Sequence, residues 1–403
     1  MYNSIFAPDS TSKNDMLKKH FIDIIIRNGA STIADIAKEA DLSIPTVTKM
    51  LVEMKEENLL MECGKSENSG TRKATLYNIN PKMGYFIGVD IRHSSIIIAL
   101  TDFAGNMLTI EEYKGFVLTK DAEGLPFVLS AISQFMDRLP VDKSMVIRMS
   151  INLPGKIDIP HGICYYYLYR ENVILTDMIE EKFGIPTRLD NDTRAMCYGE
   201  YMCGVGNGEE NVVFVNMSWG LGMAVIADGR LYYGKSGYSG EWGHINAFDN
   251  EVLCYCGKKG CLETEASGSA IYRHLMEKYR NGSSTILSDI IESGRPLLLD
   301  DILDAVKKDD ILCIELVENA GKILGKYIAS LLNIFNPELV ILGGSVGAIG
   351  DYLAFPVRTG IMKYTLNYVN NDTKLKVATL GRKAGAIGAC ILARSKCLNL
   401  IKF

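Results

Sequence analysis

The chain has 403 residues, 47% of them apolar and 23% charged, with a formal net charge of −5. That length exceeds one ordinary core and calls for two or three globular domains. No apolar run approaches the roughly 18 residues that a membrane span requires, the longest lying around residues 22–26 and 96–100. The opening Met1-Tyr2-Asn3-Ser4 shows no basic stretch followed by an apolar one, so export is not expected and the ten cysteines should stay reduced. An acidic chain has no general affinity for nucleic acid, and any DNA-binding surface must be local.

Residues 1–80 read as a small head. Leu17, Phe21, Ile24 and Ile25 stand at helical spacing and stop at Asn28-Gly29. A second helix is predicted from Ser31 to Ala40, with a hydroxyl cap at its start and Ile33, Ile36 and Ala37 as its apolar stripe. After the turn Asp41-Leu42-Ser43, a third helix runs from Ile44 to about Asn58, with Pro45 tolerated in its first turn. Val47, Met50, Leu51 and Met54 would face inward, leaving Thr46, Thr48 and Lys49 outward. Two strands, 59–63 and 74–79, are joined by a hairpin bearing Lys65, Arg72 and Lys73. The pattern is a winged helix-turn-helix, whose recognition helix enters a major groove.

Residues 1–80 hold 10 Lys and Arg against 11 Asp and Glu, a balance that also suits a small protein-interaction domain. The cations nevertheless fall on the two elements that would meet phosphates, and position matters more than net excess. Thr46, Thr48, Lys49, Lys65, Arg72 and Lys73 are therefore the candidate DNA contacts. Residues 81–84 serve as a linker.

From Tyr85 the pattern alternates. Short β-branched runs at 86–90, 96–100, 145–150, 212–215, 223–226 and 339–342 are interspersed with helical stretches at 126–138, 267–279 and 311–335. This predicts an α/β architecture in two comparable sets, two lobes with a ligand cleft between them. Glycine clusters end several strands, at Gly220-Leu221-Gly222, Gly343-Gly344-Ser345 and Gly385–Gly388. Each is weak alone, but their shared placement after apolar strands suits a nucleotide-type scaffold.

Seven cysteines, among them Cys63, Cys164, Cys313 and Cys390, are scattered and read as small buried apolar residues. The other three lie within eight residues. Gly240-Glu241-Trp242-Gly243-His244 is followed after nine residues by Cys254-Tyr255-Cys256-Gly257-Lys258-Lys259-Gly260-Cys261-Leu262-Glu263. Three thiolates and an imidazole suit a closed tetrahedral zinc site, structural because no position stays open. The Cys-x-Cys spacing differs from the Cys-x-x-Cys redox motif. Glu241, Glu263 and the run Asp190-Asn191-Asp192 supply carboxylates and an amide, the groups that fix sugar hydroxyls in set directions; solvated turn acids are the bland alternative.

These motifs resemble the ROK family of sugar kinases and sugar-responsive repressors. The likeness covers nearly the whole chain, and Gly-Glu-x-Gly-His with Cys-x-Cys-Gly-x-x-Gly-Cys-x-Glu is its signature. It implies a two-lobed actin-like, ribonuclease-H-like ATPase fold: a small lobe at 85–198, completed by a C-terminal helix at 386–403, and a large lobe at 199–385. It also implies zinc on His244, Cys254, Cys256 and Cys261, and sugar contacts at Pro154, Gly155, Asn191, Asp192, Glu241, His244 and Glu263. In the family's kinases the aspartate matching Asp192 is the general base. Those kinases carry Asp-x-Gly-Gly-Thr on the first hairpin to cradle ATP phosphates, where this chain has Asp90-Ile91-Arg92-His93-Ser94. In the second phosphate segment Trp219 replaces a small residue. Damage to one cradle should cost orders of magnitude in rate, so Asp192 is expected to be vestigial, ATP is not expected to serve, and no catalytic residue is assigned. The expectation is a bacterial cytoplasmic regulator of carbohydrate genes that binds operator DNA and a sugar or sugar-phosphate effector as a homodimer or dimer of dimers. The alternative is an active sugar kinase with an appended DNA-binding head.

Overall fold

The structure, a computed structural model, describes residues 12–66, 73–119, 123–168 and 173–400. The head opens with helix α1 (Lys13–Asn28), capped by Ser12 and closed at Gly29, whose φ of 76° suits glycine. Strand β1 (Ser31–Thr32) precedes α2 (Ile33–Glu39) and α3 (Ile44–Glu56); β2 (Leu60–Lys65) and β3 (Thr75–Ile79) form the wing. The second helix thus starts two residues later than the pattern suggests. Ser31 pairs with Tyr77 in a third wing strand, and Thr32 is the cap, in a reciprocal box with Asp35. Local hydroxyl chemistry marks a helix start, but only the presence of β3 alongside pulls these two residues into a sheet. Lys18 of α1 is buried and bonds Glu53 of α3 at 2.7 Å and Glu57 at its C-terminal cap at 2.6 Å, which fixes α3 against α1 and draws both acids toward α1.

Beyond a capped turn at Pro81–Met83 come β4 (Tyr85–Ile91), β5 (Ser95–Asp102), β6 (Met107–Lys114), α4 (Leu125–Asp137), β7 (Val146–Leu153), β8 (Ile157–Asp158), β9 (Ile163–Cys164), α5 (Leu175–Phe183) and β10 (Thr187–Asn191). Then follow α6 (Asp192–Cys203), β11 (Val212–Met217), β12 (Leu221–Ala227), β13 (Arg230–Leu231), α7 (Gly268–Arg280), α8 (Ser288–Glu292), α9 (Leu299–Lys307) and α10 (Ile311–Phe335). The chain closes with β14 (Leu339–Gly343), α11 (Gly344–Gly347), α12 (Asp351–Tyr364), α13 (Asn367–Asp372), β15 (Lys374–Val377) and α14 (Ala384–Cys397).

The chain forms two compact units, one of residues 1–152, 159–189 and 389–403 and the other of 153–158 and 190–388. The first holds a five-stranded sheet in the order β10-β7-β4-β5-β6, the second one in the order β13-β12-β11-β14-β15. Numbered within each sheet, both read 3-2-1-4-5: an antiparallel meander of three strands, then strands added by crossover. The central strands β4, β5, β11 and β14 are buried almost throughout, as apolar runs covered on both faces must be. In the second unit α10 crosses α12 at Gly325 and Gly360, where a methyl group on Gly325 would stand 3.0 Å from the Gly360 Cα. Gly388 of α14 likewise abuts the Ala195 carbonyl of α6.

One cap in this unit predicts a measurable stability. Asp310 caps α10, accepting amide hydrogens from Cys313 and Ile286, each at 2.8 Å, and the Thr285 hydroxyl at 2.9 Å. Burial pulls its carboxyl up, but these donors outweigh burial and hold it below the usual range. A depressed folded pKa stabilises above the unfolded value, near ~3.9, and the contribution fades as pH falls through the folded value. Asp310→Ala should cost about 2–3 kcal/mol at pH 7, and urea melts should find the gap to the parent protein shrinking as pH drops below about 4. A gap that is constant down to pH 3 would show that the cap's charge is not involved.

Candidate metal centre and adjoining pocket

The metal-ligating candidates meet at one point in the second unit. One ligand atom from each of His244, Cys254, Cys256 and Cys261 lies within 4.8 Å of all the others. The Cys256 and Cys261 sulfurs are 3.6 Å apart, and the Cys254 sulfur is 3.6 Å from His244 Nδ1. A tetrahedron with Zn–S bonds of about 2.3 Å has edges of about 3.8 Å, so the donors already stand at ligand spacing. The loop closes because Gly257 and Gly260 take φ of 85° and 73°, and any side chain at Gly260 would strike the Phe248 carbonyl.

The protonation of the cluster fits a cation as well. Burial pushes the Cys254 and Cys261 thiols up. Burial acts the same way on Cys256, but hydrogen bonds from the Lys258 amide and the Cys254 and Cys261 thiols together outweigh it and hold that thiol down. Three sulfurs this close cannot all ionise without a positive charge among them. Burial also lowers the His244 pKa, which favours the neutral imidazole that ligates metals. With Nδ1 facing the thiols, Nε2 lies 3.1 Å from the Tyr255 hydroxyl and 3.7 Å from Glu241. A metal on Nδ1 would leave the ring proton on Nε2, making it a donor on the pocket side.

That pocket is a partly open cleft with about 590 Å³ of empty space, some of it bulk solvent. All of its lining residues belong to the second unit. The seven residues expected to contact sugar, Pro154, Gly155, Asn191, Asp192, Glu241, His244 and Glu263, all line it. Asn191 is the α6 cap: its Oδ1 accepts from the amides of Thr193 and Arg194, and its Nδ2 donates to the Gly155 carbonyl at 3.3 Å. Asp192 accepts from the Thr193 amide at 2.7 Å. Glu263 joins pocket to cluster. One carboxylate oxygen takes the Leu221 amide at 2.9 Å while the other lies 3.8 Å from the Cys254 sulfur, and burial raises its pKa to about 7. Gly220 has no Cβ because one would crowd that carboxylate.

Several lining residues were not legible in the sequence, namely Thr193, Arg194, Asn216, Ser239 and Tyr255. Asp190, read with Asn191 and Asp192 as part of a sugar-binding run, turns inward instead. It is fully buried, accepting Arg194 Nε at 2.9 Å and the Tyr233 hydroxyl at 3.2 Å. The i,i+4 spacing of Asp190 and Arg194 was the available signal for that pair. In the first unit, Arg92-His93-Ser94 forms the turn between β4 and β5, closed by the Arg92 amide on the Ser95 carbonyl at 2.9 Å. Trp219 of the second unit packs on Tyr272 with ring centroids 5.7 Å apart.

In the head, Thr46 and Lys49 on α3, Lys65 at the end of β2 and Lys73 just before β3 are exposed. Thr48 is half-buried and its hydroxyl turns back onto the Ile44 carbonyl at 2.8 Å. Arg72 lies outside the described residues.

Two sheets of identical 3-2-1-4-5 order behind a winged helix-turn-helix head define an actin-like α/β protein with an appended DNA-binding type of domain. The chain belongs to the ROK family, whose sequence pattern matches residues 86–396. It is 28% identical to the xylose repressor of Bacillus spizizenii over 399 residues, which cover 98% of this chain and 99% of that protein, a span that takes in the head. Among solved structures it resembles a ROK family transcriptional regulator, a homologue of the E. coli MLC protein, with a TM-score of 0.78 and 25% identity over 96% of this chain and 97% of that one. A ROK family glucokinase from Streptomyces griseus, solved with glucose and AMPPNP, gives 0.68 and 27%, over 77% of this chain and all of the kinase. No helix among the described residues is long and apolar enough to cross a membrane.

Proposed function

We propose that this protein is a sugar-responsive DNA-binding transcriptional regulator, a repressor of carbohydrate genes. The observation that carries the reading is the joining, in one chain, of a winged head to a pocket lined by Asp192, Glu241, Glu263, Asn191 and His244. The near full-length similarity to a xylose repressor supports it. Zinc is the metal we assign to the cluster, since three thiolates and an imidazole leave it no open position. It would hold the loop from Glu241 to Glu263 as a pocket wall and orient His244. Thr46, Lys49, Lys65, Arg72 and Lys73 are proposed to meet operator DNA, with Thr48 helping to shape the helix that presents them. A sugar that binds one arrangement of the chain better than another would shift the population and with it the affinity for DNA. Binding to the chain's own upstream DNA, measured by fluorescence anisotropy across a sugar panel, tests this. A sugar that binds while leaving DNA affinity unchanged would sink the coupling.

Paired half-sites call for two heads, and the second unit offers a face for a second copy. Tyr352, Phe355, Thr359, Met362 and Leu366 recur at alternating spacings of three and four on the exposed side of α12 and just beyond it, the spacing of a helix–helix seam. Phe355 is 63% exposed, Met362 62% and Leu366 66%. Ile334 and Phe335 are exposed at the end of α10, where neighbouring Asn333 bonds the Tyr364 carbonyl.

The second reading, an active sugar kinase, rests on the retained Asp192 and on the likeness to a glucokinase. Against it stand Arg92 and His93 where the kinases of the family place glycines, whose amides approach phosphates closely. An ATP-coupled assay against hexoses and N-acetylated sugars should show no turnover above background. Sustained turnover that disappears in Asp192→Asn would establish the kinase.

A further inference from the structure

We infer that Tyr255 is a competitor built into this pocket: in the empty cavity its hydroxyl holds the His244 Nε2 position, which a ligand oxygen must win from it. The inference rests on the sugar-pocket reading above and concerns what that pocket demands of its ligand.

Tyr255 stands between two of the metal-ligating candidates, Cys254 and Cys256, and its backbone is fixed. The Gly257 amide donates to the Cys254 carbonyl at 2.9 Å, closing a tight turn with Tyr255 at its first corner. The Cys254 amide donates to the Lys258 carbonyl at 2.8 Å, and Leu253 bridges to Lys259 just outside the turn. The motion left to this residue is rotation of its side chain. That side chain lines the cavity yet the residue is 51% exposed, which places it at the rim. Exposed side chains change rotamer in picoseconds to nanoseconds, without repacking a core.

Turned inward, the ring makes a specific contact. Its hydroxyl lies 3.1 Å from His244 Nε2, and the two rings meet edge to face with centroids 5.2 Å apart. The other ring nitrogen, Nδ1, faces the Cys254 sulfur. An imidazole nitrogen makes one in-plane hydrogen bond, either as an N–H donor or through its lone pair. While Tyr255 holds Nε2, a ligand oxygen is shut out of that bond. Glu241 stands 3.7 Å away, beyond hydrogen-bond reach, so the tyrosine is the occupant.

Deeper polar groups of the cavity are held differently. Asn216 is buried, donates to the Thr193 hydroxyl at 2.9 Å and accepts from Ser218 at 2.7 Å. Those partners sit on packed elements, whereas the partner of Nε2 is a rim side chain that can leave. A ligand therefore gains at Nε2 only the difference between its own hydrogen bond and the one it displaces. One that brings no oxygen to this point leaves Tyr255 in place and meets a narrower cavity. The exchange makes Tyr255 a specificity-determining residue.

The test is calorimetric titration of the full-length, zinc-loaded parent and Tyr255→Phe proteins with D-glucose, D-xylose and N-acetylglucosamine. Tyr255→Phe keeps the ring and removes the competing hydroxyl. It should carry the parent's metal content by mass spectrometry and bind a sugar about three- to tenfold more tightly, the worth of one net hydrogen bond. A tyrosine that merely supports the wall, or that itself bonds the ligand, gives the opposite sign. Long-range proton–nitrogen spectra of histidine-labelled protein supply a second readout, with the His244 signal assigned by its absence from His244→Ala. Its Nε2 resonance should move on Tyr255→Phe substitution without sugar, and sugar should move it in the parent. Equal or weaker sugar binding by Tyr255→Phe, or an unmoved Nε2 resonance, overturns the inference and leaves the sugar pocket standing. Should no sugar bind either protein, the pocket reading falls and this inference with it.

Discussion

Cys256→Ser is expected to release the metal and, with it, the ligand. The Cys256 sulfur stands 3.6 Å from that of Cys261, and a hydroxyl in its place is a poor ligand for zinc, whose structural sites favour thiolate and imidazole. Apparent zinc-binding energies in small zinc domains reach about 10–16 kcal/mol because metal binding and folding are one event. In this chain the sheets would survive, since only Trp242 and Leu262 of the loop from Glu241 to Glu263 join the large apolar cluster of the second unit, and the loss should fall on that loop. Mass spectrometry should find metal content dropping from one ion per chain to near zero, and limited proteolysis should cut within that loop. Sugar affinity should fall by about 100-fold or more, as for removal of outer supports of a metal site. His244→Ala separates the two roles. Saturating zinc should restore sugar binding to Cys256→Ser, but leave His244→Ala weak even when loaded, because Nε2 on the pocket side is gone. Full sugar affinity in metal-stripped Cys256→Ser would refute the supporting role of the cluster.

Phe355→Asp combined with Met362→Asp should convert the proposed dimer into monomers. Both side chains lie on the exposed side of α12, whose opposite face packs against α10 through Leu353, Val357 and Gly360. The substitutions therefore spare the core, and circular dichroism should be unchanged. Two buried, unpaired carboxylates at a self-complementary face are strongly destabilising to it. Sedimentation velocity should show a single monomeric species. DNA affinity should fall by about 100-fold or more, because binding at the second half-site no longer profits from linkage to the first. An unchanged sedimentation coefficient would place the interface elsewhere.

The contrast between what was legible and what was not follows from range. The winged head, the alternating α/β segments and the cluster of His244, Cys254, Cys256 and Cys261 were readable because each depends on residues close in sequence. Helical spacing in 17–25, the Pro45 start of α3 and the Cys-x-Cys…Cys loop are local patterns with local causes. The pairing of Ser31 with Tyr77 was not readable, nor was the equal strand order of the two sheets, because strand partners are chosen by packing across 46 residues or more. The polar residues in and around the pocket divide the same way. Asn191, Asp192, Glu241 and Glu263 stood out as polar groups in recognisable motifs, whereas Asp190, in the same run, differs from its neighbours only because α6 and Tyr233 draw its carboxylate inward.

The sequence by itself determined the head, the α/β class and which side chains form the candidate metal cluster, because helix caps, periodicity and ligand spacing act over a few residues. Only the tertiary structure decided that His244 offers one nitrogen to the cluster and the other to the pocket, and that Arg194 is buried beneath that pocket with its charge already answered by Asp190. Those outcomes depend on which side of a side chain is enclosed, and enclosure is a property of the packed chain as a whole.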